Sequence, residues 1–291
     1  MPGFMQPPCD TGVIRTTPAF PAALSQSRKQ LTLAATILGS SMAFIDGSVV
    51  NIALPGIQQA LGADAASTQW IVNAYLLLLG ALVLVGGSAA DLFGRRRIFL
   101  AGVVVFTTAS IACGLSPNIN VLIASRAVQG LGAALLTPAS LAMLGATFEE
   151  HERSHAIGIW AGVGALTSAA GPVLGGWLVD HVSWRAIFWL NVPLAVAAAG
   201  LAIFFANESR DPEAKPLDWK GAAAVAIGLA AITWGLSAIP ARGLHDKTVF
   251  GALGLGTVLL AAFVAIEARS HERAMMPLSL YRSRNFSGTN L

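Results

Sequence analysis

The segment GGSAADLFGRRRIFL, residues 86–100, sets one acid and three consecutive arginines between two long apolar runs. Arginines in that setting mark a short turn held on the cytoplasmic face of a membrane, where Lys and Arg accumulate. On either side, apolar blocks of about twenty residues recur, the length that crosses ~30 Å of hydrocarbon at 1.5 Å per residue. Composition agrees. Of the 291 residues, 55% are apolar or aromatic and only 11% are charged, with a mean hydropathy of +0.65. Soluble domains carry roughly a quarter charged residues, so a large soluble domain is excluded for want of charged faces.

The pattern predicts an all-α membrane protein of eight spans, near residues 31–53, 70–90, 98–115, 121–146, 156–179, 186–206, 221–239 and 249–266. Residues 1–30 are rich in Pro, Ser and Thr and hold no continuous apolar stretch of the kind a signal peptide needs. They read as a disordered cytoplasmic tail. The polar stretch 207–220 divides a six-helix unit, 31–206, from two additional spans within 221–266, and 267–291 reads as a further cytoplasmic segment. Orientation follows Lys and Arg. With the N-terminus inside, inner segments hold Arg15, Arg28, Lys29, Arg95, Arg96, Arg97, Arg153, Arg210, Lys215, Lys220, Arg269, Arg273, Arg282 and Arg284, and outer segments only Arg185, Arg242 and Lys247. The expectation is a multi-pass protein of the plasma (inner) membrane with both ends cytoplasmic.

Two ionisable residues fall inside spans. Charges at bilayer depth are costly and face a bundle interior or a watery cavity. Asp46, in FIDGSVVNIALP, can carry a proton; the plainer alternative is a structural acid bonded to its surroundings. Arg126, in LIASRAVQGLGAA, stays charged at physiological pH and so tunes a carboxyl, holds an anion, or forms a structural pair. Whether the two meet is open. In span 5, Gly164, Ser168, Gly171 and Gly175 share one helical face and admit a close backbone, and Pro172 invites a bend. That face serves helix packing or a sliding seam between two halves of a transporter. Trp70, Trp177, Trp184, Phe188 and Trp189 sit at span ends as interfacial anchors. Tyr75 and Trp160 are the aromatic candidates for a substrate cavity.

GSAADLFGRRR resembles the loop between spans 2 and 3 of the major facilitator superfamily, matching at Gly87, Asp91, Gly94, Arg95 and Arg96, with Leu92 where the family often has arginine. RAVQGLGAA resembles its span-4 signature through Arg126, Gln129 and Gly130. GPVLGG resembles the span-5 signature of its antiporters through Gly162, Gly171, Pro172, Gly175 and Gly176. FIDGSVVNIALP is similar to the span-1 signature of the drug:proton antiporter branch with fourteen spans, at Asp46, Asn51, Ala53, Leu54 and Pro55. The resemblance implies a six-helix N-terminal bundle plus two extra helices, and efflux of drug-like or cationic compounds by alternating access. It implies that Asp46 and Arg126 take part in proton coupling, and that Asp91 latches the cytoplasmic side against a helix N-terminus of the other half. It also implies a C-terminal half beyond Leu291. The expectation is an efflux transporter chain lacking that half; the alternative is a non-transporting membrane fragment or a half-transporter that must pair with another chain.

The expected partners are the lipid bilayer, a small-molecule substrate and a second transporter half, with no nucleic acid. No cofactor is expected beyond a proton gradient. Cys9 and Cys113 form no disulfide framework or metal spacing. HERSH, residues 151–155, fits the zinc-hydrolase pattern H-E-x-x-H, but a catalytic zinc needs three protein ligands and no third follows. It reads as a solvated loop, so the chain is expected to be no enzyme and to hold no metal.

Overall fold

The computed structural model describes residues 25–212, 214 and 219–269. The tail up to residue 24, with Cys9 and Arg15, lies outside the described residues, as do Lys215 and the segment 270–291 with Arg273, Arg282 and Arg284. The described residues form nine helices and no strand: α1 (Gln26–Leu61), α2 (Ala65–Phe93), α3 (Arg95–Gly114), α4 (Ile119–Thr147), α5 (Glu150–His181), α6 (Ala186–Trp189), α7 (Asn191–Phe205), α8 (Trp219–Arg242) and α9 (Lys247–Arg269). Eight helical segments are long and apolar enough to cross a membrane, α6 and α7 serving as one.

Several ends differ from expectation, each for a local reason. Helix α1 begins at Gln26, because the Ser25 hydroxyl caps it by accepting from the Arg28 amide at 3.4 Å. It runs past Ala53 through Pro55 to Gly62, whose left-handed backbone ends it. The sixth span is broken after Leu190, since Pro193 has no amide hydrogen for the carbonyl of Trp189. The Phe188 carbonyl at the break accepts from the Ser110 hydroxyl at 2.8 Å instead.

Helix α4 is the pillar of the bundle, packed by α2 on one side and α3 on the other. Glycines set those distances. A Cβ on Gly130 would overlap the Tyr75 carbonyl of α2, and one on Gly102 of α3 would stand 2.8 Å from the Leu136 amide. Pro138 withholds a donor from the Ala134 carbonyl four residues earlier, and that oxygen lies where a side chain on Gly86 would be. The double glycine of the opening segment is therefore the dent that receives the proline-loosened turn of α4. Met42, Phe99, Phe106, Leu136 and the alanine face of α7 fill the half of the core nearer the arginine turn; Val49, Ile57, Ile71, Leu122 and Phe188 fill the other. Helices α8 and α9 form a hairpin packed through Gly228, Gly235 and Gly256. It lies on α2, where the Asn73 amide donates to the Ser237 hydroxyl at 3.2 Å.

Candidate functional site

The two intramembrane charges meet. Arg126 Nη1 of α4 donates to Asp46 Oδ2 of α1 at 2.5 Å. Asp46 and Arg126 are each 1% exposed. Gln129, one helical turn after Arg126, closes the arrangement into a ring. Its Nε2 donates to Asp46 Oδ1 at 2.9 Å and its Oε1 accepts from Arg126 Nη1 at 2.7 Å. Arg126 Nε donates to the Ile71 carbonyl of α2 at 3.2 Å, and its guanidinium lies over the Tyr75 ring, 4.3 Å from the centroid. From α3, the Cys113 thiol donates to Gln129 Oε1 at 3.6 Å. Four helices thus answer one carboxylate and one guanidinium with directed hydrogen bonds, which is what buried charges require.

Tyr75 is not a cavity wall. It is 2% exposed, flat against Arg126, with its hydroxyl donating to the Ala43 carbonyl at 3.4 Å. Trp160 also holds helices together. Its indole nitrogen donates to the Ser40 hydroxyl at 3.1 Å and its ring meets Phe44 edge-on at 5.8 Å.

The small-residue face of span 5 packs on α1 of the same bundle. Cβ atoms on Gly164, Gly171 and Gly175 would collide with Phe44, Ser48 and Val49. Gly162 and Gly176 face open space, and Pro172 is exposed. Asn51, Leu54 and Pro55, which carried the span-1 resemblance, lie exposed or half-buried on the outer stretch of α1, whereas Ala53 is buried.

The opening loop is held by a residue that sequence reasoning missed. Three arginines in the first turn of α3 face the positive end of the helix dipole, an unfavourable placement. Glu208, in the linker after α7, compensates: Oε1 accepts from the Arg96 amide at 3.1 Å and Oε2 from the Arg97 amide at 3.2 Å. Gly94 has φ +113, and a Cβ there would stand 2.6 Å from Glu208 Oε1, so the turn requires glycine. The linker runs on alongside: the Arg95 amide donates to the Ser209 carbonyl at 2.9 Å and the Asp211 amide to the Asp91 carbonyl at 3.0 Å. The Asp91 carboxylate accepts from Arg95 Nε and Nη2 at 3.0 and 2.9 Å, and Arg96 Nη1 reaches the Ala206 carbonyl at 3.0 Å. An acid just past the end of the sixth apolar span was the available signal.

In the H-E-x-x-H segment, Glu152 is held by Lys29 of α1 at 2.5 Å, with Glu149 3.6 Å from the same amine. These residues staple α5 to α1. Among the described residues no group of three or more His, Cys, Asp or Glu side chains is placed to hold a metal.

The family model described as Major Facilitator Superfamily matches residues 36–267. The chain belongs to the Major Facilitator Superfamily. Within it, relatives include the tetracenomycin C resistance and export protein of Streptomyces glaucescens, 40% identical over 90% of this chain and 49% of the relative. The multidrug resistance protein Stp of Mycobacterium tuberculosis is 38% identical over 88% of this chain and 48% of its own. The chain spans about half the length of these curated relatives. A peptide transporter POT crystallised with sulfate shares the fold, with a TM-score of 0.61 at 20% identity over 84% of this chain and 53% of that one. The family is one of transporters, and relatives within it are named for drug resistance and export.

Proposed function

We propose that the chain forms one wall of a proton-coupled exporter of small drug-like or cationic compounds, with its N-terminus in the cytoplasm. Asp46 carries the coupling proton; Arg126 and Gln129 hold its charged form. The observation that carries this reading is the closed Asp46–Arg126–Gln129 ring, buried between α1 and α4 in a membrane-spanning bundle. A carboxylate sealed there exchanges protons with water only when the helices around it move, and that requirement ties protonation to a change in access. The export named for its relatives supports the direction of transport and the class of cargo. The distribution of Lys and Arg supports the orientation.

The reading includes a second six-helix wall, supplied outside these 291 residues by a continuation or by a separate chain. The half-length coverage of the relatives favours it. The test is dye efflux from cells expressing the complete transporter, driven by an imposed proton gradient. Asp46→Asn is expected to reduce gradient-driven efflux to background with membrane insertion intact. Unchanged efflux would remove the coupling role.

A further inference from the structure

The ring around Asp46 aims a donor at each carboxylate oxygen: Oδ1 faces Gln129 Nε2 and Oδ2 faces Arg126 Nη1. Each oxygen keeps a second lone pair that a proton can take, but the hydroxyl so formed meets no acceptor in the ring while Gln129 points its NH2 at Asp46. The amide of Gln129 has one orientation that fits: its NH2 toward the carboxylate, which only accepts, and its oxygen toward the guanidinium, which only donates. The charge on Asp46 therefore fixes the polarity of the amide.

We propose that Gln129 is the positioning residue that reads the protonation state of Asp46, its amide turning over when Asp46 is neutral and so releasing Arg126. This rests on Asp46 as the coupling acid. After protonation on Oδ1, the new hydroxyl donates to Gln129 Oε1. The amide nitrogen then faces Arg126 Nη1, donor against donor, and the guanidinium is expelled from the ring. The Cys113 thiol loses its acceptor in the same step.

The surroundings leave the side chain as the part that moves. Next to Gln129, Gly130 lets the α2 backbone approach so closely that α4 has no slack toward it. The groups facing the ring are Asp46 from α1, Tyr75 from α2, Cys113 from α3 and Arg126 from α4. Tyr75 keeps its hydroxyl on the Ala43 carbonyl, so it offers the ring a face and no competing donor.

The test is infrared difference spectroscopy of the purified chain in lipid between neutral and acid pH, with isotope-labelled glutamine. The Asp46 carboxyl band is assigned by its loss in Asp46→Asn, and the Gln129 side-chain band by its loss in Gln129→Met. The expected result is a Gln129 band that shifts in step with the appearance of the Asp46 carboxyl band and falls silent to pH in Asp46→Asn. An Asp46 band that titrates while the Gln129 band stays fixed overturns this inference alone. Absence of any Asp46 carboxyl band across the accessible pH range overturns the coupling reading with it. The titration of both bands is followed on the unmodified sequence; the variants assign the bands and supply the pH-silent control.

Discussion

A guanidinium buried at bilayer depth is tolerated only when its charge and its donors are answered nearby, and Arg126 is answered by Asp46, Gln129, the Ile71 carbonyl and the Tyr75 ring. Removing one member of such a pair leaves the other uncompensated at a cost of about 3–5 kcal/mol, whereas replacing both by apolar groups is close to neutral. Arg126→Leu is thus expected to destabilise the bundle by about 3 kcal/mol, and Asp46→Leu with Arg126→Leu to recover most of it. Thermal unfolding of the single and double variants in detergent checks this; a double variant no better than the single would mean the charges are not coupled. Sequence located both charges, because intramembrane ionisable residues stand out against an apolar background. It could not join them, since 80 positions separate them and pairing depends on how α1 and α4 cross. Gln129 entered only as part of a matched signature, and nothing in its residue type announced the ring.

At the level of elements, hydropathy found every span, because span length is dictated by the bilayer. Ends were harder. They depend on single side chains such as the Ser25 and Asn118 caps and on where prolines withhold donors. The small-residue face of α5 was legible from its spacing, but spacing does not name a partner, which is α1. Two acids cap helices between spans. The Ser67 amide holds the Asp64 carboxyl below the usual carboxylate range at the start of α2, and Thr248 does the same to Asp246 at the start of α9. Lowered values mean that this stabilisation is complete above roughly pH 4, where the unfolded carboxyl ionises. It is lost as pH falls through the folded values. Hydrogen exchange at the Ser67 and Thr248 amides should quicken, relative to unstructured controls, only at the acid end. Asp64→Asn and Asp246→Asn should lose that acid-specific change.

Across the whole molecule, the described helices combine a pillar, α4, with a strap at the arginine turn that sequence composition disguised as plain linker. Residues 207–211 read only as part of the polar linker 207–220, because the capping role of Glu208 arises where the chain returns to α3, more than a hundred positions from the arginines it serves. Glu208→Gln keeps the size but removes the charge that offsets the α3 dipole and the arginines. Exchange at the Arg96 and Arg97 amides is expected to rise about tenfold, equivalent to roughly 1.4 kcal/mol. No change there would reduce Glu208 to a bystander.

The strap also sets a leash. Because the Asp211 amide donates to the Asp91 carbonyl, the chain that leads to the α8–α9 hairpin sets out from beside α2 and α3 and not from the end of α7. Trp219 is only eight residue steps beyond Asp211. Fully extended at ~3.3–3.6 Å each, they reach roughly 26–29 Å. The near end of the hairpin is thereby confined to a disc of that radius around the arginine turn. While the strap holds, no rearrangement of the bundle can part the near end of α8 from the arginine turn by more than that reach.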